Sequence, residues 1–200
     1  MIYLDSYNSF SVAAPTAQEY PPNGGTWSPA VDGNVLGSST LSGAAYGNGV
    51  YTPTTSSINT YGYPWGGFEK NLGTIARFAS AAVYNSGTGT YPGSTSTNGI
   101  LGEWLQIQLP VAITINSFSL QQNTTGFQNS AAASLVLFAS NDGTTWTSID
   151  TETGITQPTA GQIRTYTVSG ASAYSYYRLV CTQTLGGVYF LVGELRLFGI

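Results

Sequence analysis

The stretch Gly102-Glu103-Trp104-Leu105-Gln106-Ile107-Gln108-Leu109 decides the fold class. From Leu105 to Leu109, aliphatic side chains alternate with glutamines, and a period of two residues is the signature of a strand with one buried face. Pro110 follows directly and is expected to end the strand, because proline cannot donate a ladder hydrogen bond. The stretch therefore predicts a half-buried β-strand.

Similar short runs, rich in β-branched and aromatic residues, follow at intervals separated by turn residues. They are Ile113–Ile115, Ser117–Leu120, Leu135–Phe138, Arg164–Val168, Tyr177–Cys181 and Glu194–Phe198. Between the third and fourth runs, Asn141-Asp142-Gly143 predicts a hairpin tip, since these residues tolerate positive φ. Residues 75–82 come nearest to helical periodicity, but they allow at most one or two turns. The pattern predicts an all-β, antiparallel fold.

The first 43 residues differ from the rest of the chain. Pro15, Pro21, Pro22 and Pro29, with several glycines and serines, interrupt each apolar run, so no regular element longer than a few residues fits. We expect an irregular N-terminal arm over residues 1–43, packed either on its own domain or on a neighbouring subunit. Residues 44–200 are expected to form one β-domain.

Composition limits the partners that the chain can take. Only 7% of its 200 residues are charged, and the net charge is −4. Five Lys and Arg residues make no basic stripe able to neutralise several phosphates, so nucleic acid is not an expected partner. No apolar run reaches the 18 residues that span a bilayer. Neutral polar and aromatic groups must make most of the contacts.

Enzyme chemistry finds little support in the sequence. The chain has no histidine, which excludes a Ser-His-Asp arrangement and histidine metal ligands. Asp150 and Glu152 could act as paired carboxylates, but beside a turn they are more simply explained as solvated side chains. The single cysteine, Cys181, lies in an apolar run and is expected to be buried and inert. We predict that the chain is not an enzyme.

Four segments together resemble the discoidin family, also called the coagulation-factor type C domain. They occur in the family's order and are Gly102–Leu109, Ala139–Trp146, Tyr176–Val180 and Gly193–Gly199. Upstream, Tyr46–Tyr51 and Phe68–Lys70 look like the entry strand and first loop of versions seen in large DNA viruses and environmental viral sequences. The resemblance covers about residues 44 to 200. It implies a galactose-binding-like jelly-roll sandwich whose ligand loops cluster at one end. Members of the family bind glycans, phospholipid surfaces or proteins, and some are virion surface components.

The resemblance also implies a structural calcium ion, held between a loop after the first strand and a glutamate of the last strand. Glu194 matches the last-strand glutamate, and Glu69, Asn71 and Thr74 lie where the loop is expected. Calcium prefers several oxygen ligands, as such a loop could supply. The loop departs from the family pattern, because Glu69 stands in place of the usual aspartate and Lys70 follows it. Glu194 could instead pair with Arg178 or Arg196.

Aromatic residues in loops are the candidate ligand contacts. Tyr61 to Phe68 hold four rings among glycines and a proline, so some rings are expected to be exposed. Tyr63 and Trp65, with Arg77 nearby, could form a platform on which a sugar stacks. The alternative is that these rings cover the sandwich or form a subunit contact. Phe127 and Tyr189 lie where discoidin domains carry ligand spikes, and each could instead close the core.

The sequence leads to a main prediction of function, given first, and to an alternative, given second. The first is a virion or extracellular-filament subunit that assembles with copies of itself or with other structural subunits through the sandwich and the arm. The second is a carbohydrate-binding module that attaches a particle or a cell to glycans. The Pro/Gly-rich arm and the low charge favour the first, and the aromatic loop favours the second. Both place the protein on a virion or on an extracellular surface.

Overall fold

The computed structural model describes residues 16–31, 36–60, 62–70, 77–122, 126–170 and 172–200. In these residues every pair of neighbouring strands is antiparallel. Two sheets, of four and seven strands, form a β-sandwich. The all-β, antiparallel prediction is therefore confirmed.

The strands run in chain order as follows: β1 (Gln18–Tyr20), β2 (Thr26–Ser28), β3 (Ser39–Ser42), β4 (Gly49–Thr55), β5 (Phe78–Ala79), β6 (Ser96–Thr97), β7 (Ile100–Leu101), β8 (Glu103–Ile113), β9 (Ile115–Gln121), β10 (Ala132–Ser140), β11 (Thr147–Glu152), β12 (Ile163–Thr167), β13 (Tyr174–Thr184), β14 (Leu191–Val192) and β15 (Glu194–Gly199). The described residues also hold two short 3-10 helices, Pro64–Gly67 and Gln128–Ser130. No helix in the described part of the chain combines the length and the apolarity needed to cross a membrane.

The four-stranded sheet has the order β1-β15-β9-β12, and the seven-stranded sheet has the order β11-β10-β13-β8-β4-β3-β2. Two small ladders, β14 with β5 and β6 with β7, lie outside these sheets. The core contains the inward residues of both sheets, among them Leu105, Leu179, Phe118 and Leu195, which are completely buried. Burial of alternate residues on each strand is what a sandwich requires.

Strand β8 shows the alternation that the sequence predicts, with Leu105, Ile107 and Leu109 buried. However, Pro110 does not end the strand, which continues to Ile113. The ladder between β8 and β13 is irregular from Gln108 to Ile113, so a residue without an N–H is tolerated there. The expectation about Pro110 was therefore wrong for a reason that depends on the neighbouring strand.

The hairpin predicted at Asn141-Asp142-Gly143 joins β10 to β11. The Asp142 carboxylate accepts hydrogen bonds from the backbone N–H groups of Thr144 (2.8 Å) and Thr145 (2.7 Å). These bonds, from Thr145 first and then Thr144, hold the pKa of Asp142 well below its usual value. Gly143 takes a positive φ of 71°. The tip is thus fixed by its own sequence.

The N-terminal segment is part of the sandwich in the residues that the structure describes. Strand β1 pairs with β15, and β2 and β3 extend the seven-stranded sheet beyond β4. Tyr20 and Leu41 are buried in the common core. The described residues before position 44 therefore belong to the same body as the rest and do not form a separate arm. The sequence left open whether this segment packs on its own domain or on a neighbouring subunit. Its described residues pack on their own domain.

Cys181 is completely buried on β13, as the sequence predicts. Burial raises the pKa of its thiol to about 12. The thiol is therefore protonated at neutral pH and lacks the thiolate that nucleophilic chemistry needs.

Candidate ligand-binding site

Three loops meet at one end of the sandwich. It is the end at which β9 finishes and β10 begins. Residues 126–131 are tied to the loop after β13 by two backbone hydrogen bonds, from Leu185 N–H to Ala131 O (3.0 Å) and from Gly187 N–H to Asn129 O (2.8 Å). The segment after β5 joins them through the Tyr84 N–H and Val188 O. This end of the molecule is called the loop end below.

Phe127 is the most exposed aromatic side chain at the loop end, with 49% of its surface accessible. Its φ of 62° is in the left-handed region, which a bulky residue rarely adopts. The Arg77 guanidinium carbon lies 5.3 Å from the centre of the Phe127 ring. The Gln122 side-chain amide donates to the Phe127 carbonyl (3.2 Å). A left-handed backbone that carries an exposed ring, with Gln122 on its carbonyl and Arg77 over the ring, points to a function.

A concave pocket at this end is lined by residues of β9, β10, β12 and β14 and by Ile155 and Pro158 of the connection between β11 and β12. The space inside it that the centre of a water-sized sphere can occupy is about 40 Å³, which is room for a small chemical group. Apolar side chains of Ala132, Ile155 and Leu191 form much of the wall, and Arg164 and Tyr166 bring polar atoms. Gln122 lines the pocket as well, and so connects it to Phe127. Mostly apolar walls with a few polar groups are typical of small-ligand sites.

Tyr63 and Tyr189 are both partly buried. Tyr63 precedes the first 3-10 helix. Tyr189 lies between Val188, whose carbonyl accepts from Tyr84, and Phe190, whose N–H donates to Ser80 Oγ (2.9 Å). Their roles as ligand contacts stay predictions. Of the sequence-predicted ligand residues, Arg77 and Phe127 are brought into contact.

Trp65 does not form an exposed platform. Its side chain is completely buried, its indole N–H donates to the Gly37 carbonyl (2.8 Å), and its ring meets the Trp27 ring edge-on at 5.3 Å. Phe68 is also buried, with 2% exposure. The expectation of an exposed Trp65 was wrong, because the N-terminal segment covers the ring. Trp65 and Phe68 instead agree with the alternative, in which these rings cover the sandwich.

Glu194 is completely buried at the start of β15. One carboxylate oxygen accepts the Lys70 backbone N–H (2.8 Å), and the other has no hydrogen-bond partner among the described residues. Burial raises the pKa of Glu194 to about 8, although Arg196 and Lys70 act against this. Glu69 is partly buried, while Asn71 and Thr74 lie outside the described residues. Arg178, a suggested partner of Glu194, instead binds Gln106 and stacks between Trp104 and Trp146.

The described donor set around Glu194 fits calcium poorly. Calcium takes six to eight oxygens, yet the nearby oxygens of Glu19, Pro21 and Asn23 already surround the Lys70 ammonium. The guanidinium of Arg196 lies 3.7 Å from the same Glu19 carboxylate. The described residues include no group of three or more Cys, Asp or Glu that could hold a metal ion. One unpartnered oxygen of Glu194 does not make a calcium shell.

Asp150 and Glu152 lie partly exposed on β11, at the edge of the seven-stranded sheet. Burial raises the pKa of both, and the Asp150 charge adds to the shift at Glu152. They are therefore less simply solvated than the sequence suggested. A pair of carboxylates alone does not define an active site.

Sequence reasoning missed the pocket. Arg164 and Tyr166 come from the alternating strand β12 and carry no local mark of a site. The signal in the sequence that could have indicated the pocket was the pair Gln121-Gln122, which follows the apolar residues of β9. Both side chains are almost fully buried in the structure, and a buried amide needs hydrogen-bond partners.

The two antiparallel sheets have the architecture of a galactose-binding-like sandwich. Similar solved structures include the family 32 carbohydrate-binding module of Clostridium perfringens NanJ in complex with galactose, which is 16% identical with a TM-score of 0.56 and is matched over 74% of this chain and 93% of that one. Another C. perfringens family 32 module, in complex with GalNAc-β-1,3-galactose, is 16% identical with a TM-score of 0.57 over 74% and 95%. An F5/8 type C domain from Bacteroides fragilis is 15% identical with a TM-score of 0.56 over 74% and 91%.

The family model of the F5/8 type C domain matches residues 71–195. The chain therefore belongs to the F5/8 type C (discoidin) domain family, as the sequence resemblance implied. No curated protein matches the sequence.

Proposed function

We propose that this chain is a non-catalytic carbohydrate-binding module that holds a glycan at the loop end. The Phe127 ring would stack on the apolar face of one sugar, and a small group of the same glycan would enter the pocket that Gln122 lines. The observation that carries the proposal is the exposed, left-handed Phe127 under Arg77. A backbone strain of this kind persists only where the surroundings hold it, and it is common at ligand sites.

The polar groups at the site suit a neutral ligand. Gln122 and Tyr166 can exchange hydrogen bonds with hydroxyls, while Arg164 is occupied by the carbonyl (2.5 Å) and hydroxyl (3.2 Å) of Thr156. Three solved relatives of the fold support this class of ligand: the two clostridial modules were solved with galactose and GalNAc-β-1,3-galactose, and a third is a fucolectin of striped bass serum. Glycans of this kind are displayed outside cells, so we propose that the module acts at an extracellular surface.

The experiment is isothermal titration of galactose and of GalNAc-β-1,3-galactose into the full chain, preceded by a glycan array if neither binds. We expect saturable binding to at least one glycan, and loss of that binding in Phe127→Asn. Asparagine tolerates the left-handed backbone, so this variant removes the ring without adding strain. Absence of binding to every glycan, with the protein folded, would contradict the proposal.

The other function considered from the sequence was a virion or filament subunit. Its main support was an N-terminal arm free to reach a neighbour, and the described part of that segment pairs with strands of its own chain. Light scattering coupled to gel filtration would separate the two functions. A monomer is expected for a binding module, and a defined oligomer for a subunit.

A further inference from the structure

The ammonium group of Lys70 is enclosed by oxygen atoms of the N-terminal segment. Its Nζ lies 2.7 Å from Glu19 Oε1, 2.7 Å from the Pro21 carbonyl and 2.9 Å from Asn23 Oδ1. An ammonium has three N–H donors, and each of these oxygens can accept one of them. The side chains of Lys70 and Glu19 are both only 16% exposed. The arrangement is a small oxygen cage filled by a side-chain cation.

The backbone of the same residue reaches a different part of the molecule. The Lys70 N–H donates to the buried carboxylate of Glu194, the first residue of the last strand. Lys70 has a φ of 61°, a left-handed conformation that a residue with a Cβ adopts only when its surroundings hold it there. One residue thus joins the chain after β1 to the start of β15.

The charges around Glu19 favour a cationic side chain of the protein over a free divalent ion. Glu19 is shared by Lys70 and by Arg196, whose Nε lies 3.7 Å from the carboxylate. Two fixed positive charges beside Glu19 and Glu194 would repel an incoming dication. They also neutralise the two carboxylates, which are costly to bury alone.

We propose that Lys70 is a built-in cation that closes this side of the sandwich in place of the calcium ion that the discoidin resemblance implies. Its ammonium orders Glu19, Pro21 and Asn23, and its N–H orders Glu194. The fold of this chain is then independent of divalent ions, and residues 18–23 are fastened to the domain by the lysine.

The first test measures the melting temperature of the full-length wild type with 5 mM calcium and with 5 mM EDTA, conditions that need no variant. We expect the two curves to coincide. A rise in melting temperature with calcium, reversed by EDTA, would overturn the proposal.

The second test replaces Lys70 by methionine, which keeps most of the side-chain length and removes the charge. Leaving buried Glu19 with only the more distant Arg196 should lower the melting temperature by about 5 to 15 °C, and limited proteolysis should cut first near residues 18–23. The matched control is Arg164→Met, which removes a cation bound to Thr156 and to no carboxylate. Equal melting of the two variants, with the same proteolytic pattern, would contradict a special role for Lys70.

If Lys70→Met does not fold, Glu19→Gln replaces it. This variant keeps an oxygen acceptor for the ammonium and removes the carboxylate charge, so the proposal expects a melting temperature below that of the wild type. Wild-type stability in Glu19→Gln would contradict it. These outcomes are independent of glycan binding, so they separate this inference from the proposed function.

Discussion

Trp65 and Phe127 look alike in the sequence and have opposite surroundings in the fold. Both are aromatic, and both have a glycine close by in the chain. Trp65 is completely buried, with its indole N–H bonded to Gly37 and its ring against Trp27, whereas half of the Phe127 side chain faces solvent at the loop end. The first ring stabilises the sandwich, and the second is available to a ligand.

The difference depends on residues far along the chain. Gly37 is 28 positions before Trp65, and it belongs to the segment whose proline and glycine content predicted an arm. Because that segment packs on its own sheets, it covers Trp65. Among the residues that the structure describes, no segment covers Phe127 in the same way, and its ring has Arg77 as a neighbour. Exposure of a loop aromatic is therefore decided by tertiary packing and not by its local sequence.

The largest effect is expected at the buried ring. Trp65→Ala should lower the free energy of unfolding by about 3–5 kcal/mol, because it leaves a cavity and an unpaired Gly37 carbonyl. Urea denaturation monitored by circular dichroism would measure the loss. Glycan affinity per folded molecule should be unchanged. A loss below about 1 kcal/mol would show that the ring is not the core residue that the structure describes.

The next effect concerns the exposed ring and affects binding. Phe127→Asn should weaken glycan binding about tenfold or more, since covering a phenyl face is worth about 1.5–3 kcal/mol and 1.4 kcal/mol is a factor of ten. The free energy of unfolding should stay the same or rise, because asparagine relieves the left-handed strain. Titration calorimetry and denaturation together give both numbers. If Phe127→Asn bound glycan normally but unfolded easily, Phe127 would be a structural residue like Trp65 and not a ligand contact.

A smaller effect is expected for the cation over the ring. Arg77→Gln should reduce glycan affinity a few-fold, because a cation–π contact at an exposed site is worth about 0.5–1 kcal/mol and positions the ring. Titration calorimetry of the variant beside Phe127→Asn would show it. In the double variant the Arg77 effect should disappear, and an unchanged effect there would show that Arg77 acts without Phe127.

The smallest effect is expected at the hairpin tip, residues 141–143. The tip is exposed, but the hydrogen bonds that the Asp142 carboxylate accepts from the Thr144 and Thr145 N–H groups order it. Asp142→Ala should speed amide hydrogen exchange at Thr144 and Thr145, with little change elsewhere. The pKa of Asp142 is lowered in the fold, so its contribution is complete above the unfolded value of about 3.9 and is lost as pH falls through the lower folded pKa. Stability differences between wild type and variant should therefore be constant from pH 7 to pH 5. A difference that vanishes in that range would contradict this origin.

The hairpin and the aromatics show which parts of the fold the sequence could predict. The alternation in β8 and the turn residues Asn141-Asp142-Gly143 determine local structure by themselves, so the strand and the hairpin were predicted correctly. Pro110 was misjudged because the irregular pairing that tolerates it lies on another strand. The place of the described residues before position 44 could not be predicted, because their short strands are stabilised by partners on β15 and β4.

The site was predictable to a similar extent. Arg77 and Phe127 were recognised as separate candidates, but their contact across 50 residues of chain follows only from the fold. Arg164 and Tyr166 could not be identified, because an alternating strand carries no mark of the pocket behind it. In the sequence, Lys70 is only a residue that departs from the family's calcium-loop pattern. Its role could not be predicted, because its oxygen partners, Glu19 and the Pro21 carbonyl, belong to the N-terminal segment.

The most direct measurement of the central claim is an NMR titration of the isotope-labelled full chain with galactose and GalNAc-β-1,3-galactose. The account predicts saturable shift changes concentrated at the loop end, in residues 126–131 and 185–190 and in the Arg77 side chain. Shift changes confined to the opposite end, around the hairpin tip at Gly143, or no changes with any glycan that the array identifies, would contradict it.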